Sequence, residues 1–465
     1  HTVATAAAAL AATTTPALRA RANPGPAAAS EVPAATPLIA ALQARLQHQG
    51  VGLVAAVVDG DPVVFAAAGR RSLASEAAPD ADTLFEIGSI TKTFTTAILA
   101  DMVKRGEVSL SDPVAKLLPP GTVVPSRDGR EITLLDLATQ SSGLPSLPTN
   151  FAPKDQANPW ADYSPQQLYD YLKSYQLTRG IGEKYEYSNV GMGLLGFALA
   201  QRAGMTYEDL VAARVLKPLQ MDDTRITLTA ALLRRLAPGH RPDGSVVKNW
   251  DLTTLAGAGA LRSTVNDMLT YIRANADSAS NPLGATLAMT HGERHSAGSP
   301  AVTIGLGWHR LRTPAGNWIV WHNGGTGGYR SFTGYSEKTG EGIVVLANTA
   351  NSVDEIGMHL LDPSFPLPSP PKTRVAVSLP EATLDRYVGT FELAPAFALV
   401  ITREGAQLHL QATGQPRFSL FAEKEDEFFL KVVDAQVTFT KDGAGVVTGL
   451  VLHQNGAHLP AKKKP

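Results

Sequence analysis

The sequence predicts an α/β chain in which a mostly antiparallel sheet, flanked by helices and an all-α subregion, is followed by a small all-β barrel. Three observations predict this: a strand hairpin near the start, helical patterns through the middle, and short strand-like runs after a proline-rich segment. Strands that come from both ends of a segment, around a helical middle, indicate one α/β unit with a shared core.

The folded part is predicted to begin at about residue 37. Leu38, Leu42 and Leu46 recur at helical spacing. Residues 51–65 then form two strand-like runs joined by an Asp-Gly turn, which is typical of a hairpin. Helical patterns dominate to about residue 275. Strands are predicted to return at 303–308, 318–321 and 342–348.

Composition shifts divide the chain into four segments. Residues 1–36 are rich in Ala, Thr and Pro, with an Ala-Arg-Ala run that resembles a signal-peptidase site. We interpret them as an export remnant or disordered tether, and we expect a periplasmic or secreted protein. The α/β unit is expected at 37–362, a proline-rich linker at 363–379, and the barrel at 380–461.

Composition also narrows the classes of function. The chain has 465 residues, 41 Lys plus Arg against 42 Asp plus Glu, and no cysteine. This balance gives no electrostatic reason to expect a nucleic-acid partner, and it leaves no thiol chemistry. No run is long enough for a membrane-spanning helix. We expect no cofactor and no metal, since HGERH at 291–295 departs from the zinc pattern and its histidines are expected to be solvated loop residues.

The segment 85–95, FEIGSITKTFT, places a hydroxyl and an amine three residues apart at a predicted helix start. Ser89 and Lys92 should therefore lie on one helix face. A serine becomes a nucleophile when a neighbouring group takes its proton, and burial lowers the pKa of a lysine enough for that role. A capping serine with a solvated lysine is the simpler alternative for so short a pattern.

Two later segments carry further polar groups. Residues 182–191, GEKYEYSNVG, precede a helical run and contain Tyr187, a possible proton acceptor, and Asn189, whose amide suits an amide-like substrate. Residues 321–330, WHNGGTGGYR, end a strand with glycines, so their backbone can pair with an extended substrate while His322 presents a donor. Trp308, Trp318 and Trp321 are expected to be core residues rather than a substrate platform.

In order and spacing, these three elements resemble the serine β-lactamase and penicillin-binding-protein superfamily. The tyrosine in the second element is similar to the branch that holds class C β-lactamases, D-alanyl-D-alanine carboxypeptidases, D-aminopeptidases and family VIII esterases. Residues 134–145, 218–221 and 259–264 also resemble landmarks of that branch. The region after the linker is similar to the lipocalin-like domain of several such hydrolases.

The resemblance implies a site residue by residue. Ser89 would be the nucleophile, and Lys92 and Tyr187 the proton-handling pair, with Lys92 cationic and Tyr187 held as phenolate in our hypothesis. The substrate-binding residues implied are Asn189, His322, Gly324 and Gly325, with the amides of Ser89 and Gly325 as oxyanion hole.

The implied reaction is hydrolysis through an acyl-enzyme on Ser89, with a small-molecule or peptide substrate. Amide bonds of β-lactam or D-amino-acid peptide type rank first. Short-chain esters, or transfer of the acyl group to another acceptor, remain the alternatives. Class C β-lactamases usually carry lysine at the position of His322, and a neutral imidazole holds a carboxylate less firmly.

Overall fold

A computed structural model describes Leu38, Leu42 and residues 51–58, 63–277, 279, 281–367, 374–394, 397–413, 417–431, 435–454 and 457–464. The predicted tether, the Asp-Gly turn at 59–60, Leu46 and part of the linker lie outside the described residues. Leu38 and Leu42 are helical and buried, as the leucine spacing predicted.

An eight-stranded antiparallel sheet forms the centre of the first unit, in the order β2-β1-β12-β11-β10-β9-β8-β7. Two further strand pairs, β3 with β6 and β4 with β5, lie apart from it. The strands are β1 Gly52–Val58, β2 Val64–Gly69, β3 Phe85–Glu86, β4 Ser126–Arg127, β5 Arg130–Glu131, β6 Arg262–Ser263, β7 His295–Ser299, β8 Val302–Ile304, β9 His309–Arg312, β10 Trp318–Gly325, β11 Arg330–Ser336 and β12 Gly342–Ala347.

Helices cover the sheet and form the all-α subregion between β3 and β6. Short 3-10 segments and a π-helical segment at Ala212–Leu216 join them. The α-helices are α1 Thr91–Lys104, α2 Leu134–Ala138, α3 Pro165–Ser174, α4 Asn189–Ala203, α5 Tyr207–Val211, α6 Ala230–Leu233, α7 Val265–Ala276, α8 Gly284–His291, α9 Asp354–Leu361 and α10 Glu381–Leu384.

Alternating residues of the strands supply two separate cores, one on each face of the sheet. Val344 and Leu346 of β12 pack into the large core that contains α1, while Ile343 and Val345 pack on the opposite face with Leu38 and α9. Successive side chains of a strand point to opposite faces. The sheet is thus buried on both sides, and α1, almost entirely buried itself, is a core helix.

The second unit is a closed antiparallel barrel of eight strands. Its interior is filled by apolar side chains, among them Phe391, Phe428 and Phe439, so the barrel holds a packed core. The strands are β13 Gly389–Ala394, β14 Phe397–Glu404, β15 Gln407–Ala412, β16 Arg417–Ala422, β17 Glu427–Leu430, β18 Ala435–Lys441, β19 Val447–Gln454 and β20 Ala457–Lys463.

The structure corrects several sequence expectations. The strand predicted at 303–308 ends at Ile304, because the chain bends before β9 starts at His309. The predicted strand at 318–321 continues as β10 to Gly325, and β11 was not predicted. Among the described helices, none has both the length and the apolar character needed to cross a membrane.

Some expected side-chain environments also differ. Of the histidines expected in solvent, His291 is buried, and its ring nitrogens lie 2.7 Å from Asn275 Oδ1 and 2.9 Å from the Tyr335 hydroxyl. The described residues contain no cluster of three or more metal-binding side chains. Trp308 is fully buried, as expected of a core residue, whereas Trp318 and Trp321 are half-buried.

Candidate active site

Ser89 lies in a single 3-10 turn, Gly88–Ile90, that leads directly into α1. The turn is fixed from behind, because Ser331 Oγ on β11 donates to the carbonyl of Ile87 at 2.8 Å. Gly88 adopts a φ of +50°, and a Cβ there would come within 2.7 Å of the amide nitrogen of Gly325. Glycine is required at this position, since both the left-handed backbone and the close approach exclude a side chain.

Lys92, one turn into α1, is completely buried, and its Nζ lies 2.9 Å from Ser89 Oγ. The structure therefore brings together the two groups that the sequence placed on one face. Nζ also donates to Asn189 Oδ1 at 2.8 Å and to the carbonyl of Ala258 at 2.6 Å. Burial lowers the pKa of Lys92 well below its usual range, because the charged ammonium loses its hydration.

Tyr187 reaches the same point from the loop before α4. Its hydroxyl is hydrogen-bonded to Ser89, and its ring centroid lies 4.8 Å from Lys92 Nζ. Burial is the largest influence on this phenol, and it raises the pKa above the ordinary value. Desolvation favours the neutral form of both groups, which argues against our hypothesis of a cationic Lys92 beside a Tyr187 phenolate.

Asn189 opens α4, where the Ser188 side chain caps the helix by accepting from the Gly191 amide. Its Oδ1 faces Lys92, and its Nδ2 donates to Ser146 Oγ at 3.3 Å. The loop after α2 holds this segment in place, since Gln140 Oε1 accepts from the Ser188 amide at 2.8 Å. Asn189 thus contacts both the buried amine and the rim of the site.

The third element is the last half of β10. Strand β9 pairs with β10 only from Trp318 to Trp321, so on that side the pairing stops before Gly324 and Gly325. A Cβ on Gly324 would lie 2.0 Å from the carbonyl oxygen of Ile87, so only glycine lets β10 approach the nucleophile turn. This approach brings Gly325 beside Gly88, one residue from Ser89.

His322 does not present a donor to the site, contrary to our expectation. The side chain is 1% exposed, and Nδ1 lies 2.6 Å from the carbonyl oxygen of Asn323. Burial is the main reason that the pKa of His322 lies well below its ordinary value, and the nearby His309 and Lys92 lower it further. The third element therefore carries a neutral ring rather than a cation.

Sequence reasoning missed two contributors to this geometry. The carbonyl of Ala258 comes from a segment far from Lys92 in the chain, and it is held there because Leu261 accepts from the Ile87 amide and donates to Thr91 Oγ1. His309 was also missed, and it lies against His322 with ring centroids 5.2 Å apart. Neither contact leaves a local sequence pattern.

Comparison with known proteins agrees with this architecture. The model of the Beta-lactamase family matches residues 36–362, and a domain of unknown function, DUF3471, matches residues 373–462. Fold and relatives together define a serine hydrolase of the β-lactamase and D-alanyl-D-alanine peptidase superfamily. The chain belongs to the Beta-lactamase family.

Three known proteins illustrate how similar this chain is to other members of the superfamily. The D-alanyl-D-alanine-carboxypeptidase/endopeptidase AmpH of Escherichia coli is 31% identical over 293 residues, covering 60% of this chain and 75% of its own length. A penicillin-binding protein of Bacillus subtilis is 24% identical over 449 residues, covering 89% and 95%. A solved β-lactamase/D-alanine carboxypeptidase from Yersinia pestis has a TM-score of 0.62 and 26% identity, covering 72% of this chain and 99% of its own.

Proposed function

We propose that Ser89 is the nucleophile of an acyl-enzyme hydrolase that cleaves amide bonds of the β-lactam or D-amino-acid peptide type. One observation carries the proposal: the Ser89 hydroxyl lies 2.9 Å from an amine that is completely buried. A desolvated amine with a depressed pKa is a base able to accept the serine proton. The alternative of a capping serine with a solvated lysine does not fit a lysine with no exposed surface.

Acylation begins when Ser89 Oγ attacks the substrate carbonyl while its proton passes to Lys92 Nζ. The new C–O bond converts the carbonyl to an oxyanion, and the amides of Ser89 and Gly325 are the donors for it. The tetrahedral adduct collapses when the leaving group takes a proton. Tyr187, a neutral phenol in contact with Ser89, delivers that proton and regains one from Lys92.

Deacylation reverses these roles. Water attacks the ester carbonyl of the acyl-enzyme and gives a proton to Lys92, which is neutral again after the first half-reaction. Ser89 Oγ leaves and recovers its proton, so the enzyme returns to its starting state and one water is consumed. Asn189 contributes by orienting the substrate amide, for which its side chain has both a donor and an acceptor.

The relatives support the substrate class, since their names include β-lactamases and D-alanyl-D-alanine carboxypeptidases. A short-chain ester is the second candidate, and one observation favours it. His322 is neutral and buried, so this position offers no cation for the carboxylate of a penicillin or a peptide. Transfer of the acyl group to an alcohol or amine would use the same intermediate.

The experiment is intact mass spectrometry of the protein after exposure to a penicillin, a D-Ala-D-Ala peptide and a nitrophenyl ester, with Ser89→Ala as control. A stable adduct indicates a penicillin-binding type, rapid turnover of penicillin a β-lactamase, and reaction with the ester alone an esterase. An added amine as acyl acceptor separates transfer from hydrolysis through the partition of products. Absence of any adduct or turnover would contradict the proposal.

The segment limits and the location in the cell belong to the same proposal. We expect an export remnant or tether at 1–36, the hydrolase unit at 37–362, a linker at 363–379 and the barrel at 380–461. A hydrolase of D-amino-acid peptides has its substrates outside the cytoplasm, which supports a periplasmic or secreted protein. Cell fractionation with N-terminal sequencing of the mature protein tests both the location and the first boundary.

A further inference from the structure

Behind the third element lies a pair of buried histidines. His309 starts β9 opposite Trp321, and its ring centroid is 5.2 Å from that of His322. Nε2 of His309 lies 2.9 Å from the hydroxyl of Tyr185, two residues before Tyr187. A continuous row of polar rings therefore connects the second element of the site to the third.

Two nitrogens in this row have no partner among the described residues. These are Nδ1 of His309 and Nε2 of His322, and both are buried. A buried polar nitrogen without a hydrogen bond costs free energy, so two such atoms on neighbouring rings call for a common explanation. The two nitrogens are not hydrogen-bonded to each other, so one water between an N–H on one ring and a lone pair on the other would satisfy both atoms.

The partners at each end of the row decide which nitrogen carries the proton. Nδ1 of His322 faces the carbonyl oxygen of Asn323 at 2.6 Å, so this nitrogen is the donor and Nε2 keeps the lone pair. At the other end, burial raises the pKa of Tyr185 to about 12, so its hydroxyl stays protonated. If Tyr185 donates to Nε2 of His309, then Nδ1 of His309 carries the N–H that His322 needs.

We propose that Tyr185 and His309 are positioning residues that hold His322 as its neutral Nδ1–H tautomer and thereby tie the second element to the third. The inference rests on the proposed hydrolase function and deepens it. A neutral ring at His322 selects substrates whose binding does not require an ion pair with a carboxylate at this position. Neutral esters and amides internal to a peptide satisfy that condition.

The groups around His309 and His322 also favour the neutral form of both rings. Lys92 of α1 faces both rings, the two rings face each other, and Tyr185 faces His309. No carboxylate is among the groups that shift the pKa of either ring. Adding a proton to either ring would place a buried cation beside Lys92, which itself becomes charged when it accepts the Ser89 proton. Burial accordingly lowers the pKa of His309 to about 4, so the pair stays neutral across the physiological range.

The test removes one hydroxyl at a time. Tyr185→Phe deletes the donor at the end of the row, and Tyr175→Phe is the matched control, because it removes a hydroxyl from a ring packed against Tyr171. With the substrate identified by the mass measurement, kcat/KM of Tyr185→Phe should fall about 3- to 10-fold, the usual effect of one hydrogen bond. In the pH profile of kcat/KM, the acid limb of Tyr185→Phe should move to higher pH by roughly 0.5 to 1 unit. The pKa of His309 rises in this variant because the ring loses the donor that favours its neutral form.

A second readout is independent of activity. Selective ¹⁵N labelling of histidine reports the tautomer of each ring, and the parent protein should show His309 and His322 both as Nδ1–H. Tyr185→Phe should mix the two tautomers of His309, and Tyr175→Phe should leave them unchanged. His309→Gln, compared with His309→Phe, gives the same comparison if Tyr185→Phe unfolds, since glutamine can still donate to His322 Nε2 and phenylalanine cannot.

The outcomes separate this inference from the proposed function. Parent-like kcat/KM, acid limb and tautomers in Tyr185→Phe would overturn the inference while leaving the acylation of Ser89 intact. Failure of Ser89 to acylate with any probe would overturn the hydrolase proposal, and the tautomer measurement would still decide whether the row exists. An Nε2–H tautomer of His322 in the parent protein would also overturn the inference.

Discussion

The carbonyl oxygen of Ala258 lies 2.6 Å from Nζ of Lys92, and this contact determines how the amine can act. Lys92 Nζ donates to Ala258, to the side-chain oxygen of Asn189 and, at 2.9 Å, to Ser89 Oγ. When the amine is neutral, Ala258 and Asn189 accept its two hydrogens, and its lone pair faces Ser89 Oγ. The three groups come from three distant segments of the chain. Their convergence on a buried nitrogen makes Lys92 a positioned base.

Replacing Lys92 by methionine should separate activity from stability. Acylation of Ser89 should fall roughly 10²- to 10⁴-fold, because the base is lost. The thermal midpoint should change by only a few degrees, because removal of a buried amine favours the folded state whereas Ala258 and Asn189 each lose a donor. Lys104→Met, at the exposed end of the same helix, is the control and should retain activity. Comparable activity of both variants would contradict the role of Lys92.

Tyr187→Phe should affect amides more than activated esters. If Tyr187 delivers a proton to the leaving group, an amine leaving group needs it and a nitrophenolate does not, because nitrophenolate leaves as an anion. Amide cleavage should therefore slow by roughly 10²- to 10⁴-fold, and acylation by a nitrophenyl ester by less than about 10-fold. Rates for both substrates check this prediction. An equal loss for both would favour a phenolate base instead.

Gly324→Ala should destabilise the protein and abolish the site together. The added Cβ would lie 2.0 Å from the carbonyl oxygen of Ile87 and 2.3 Å from Ser331 Oγ, so β10 and the nucleophile turn must separate. Overpacking of this kind costs about 1–3 kcal/mol in the free energy of unfolding. Gly292→Ala is the control, because a Cβ there meets nothing within 4 Å. Chemical denaturation of both variants measures the free energy of unfolding, and an equal value for the two variants would contradict the prediction.

Asp354, at the start of α9, should make stability depend on pH. It accepts from Asn323 Nδ2 at 2.6 Å, and burial raises its pKa from the ordinary 3.8 to about 6. The folded state then binds the proton more tightly than the unfolded state, so this contribution is present below pH 4 and lost as the pH rises to 6. The free energy of unfolding of Asp354→Asn, minus that of the parent, should grow by about 2–3 kcal/mol across this range. A difference that stays constant would contradict the shift.

The sequence predicted the parts of this protein that depend on local pattern. Spacing alone placed Ser89 and Lys92 on one face, strand-like runs predicted the first hairpin and the barrel, and the glycines after His322 indicated a close backbone approach. Each of these is a short-range signal of periodicity, turn chemistry or steric size.

The remainder depends on tertiary contacts that no local pattern records. Ala258 reaches Lys92 across 166 positions of the chain, and its only local signal is a small residue beside glycines. The protonation states depend on such contacts too, since the complete burial of Lys92 and His322 follows only from the packing around them. His309 gave no signal before its ring was found against His322.

The most direct test of the account is peptide mapping of the protein after reaction with an acylating substrate or a penicillin. We expect a mass increase equal to the acyl group on the peptide that contains Ser89, strongly reduced in Lys92→Met and absent in Ser89→Ala. A label on another residue, or one that persists in Ser89→Ala, would contradict it.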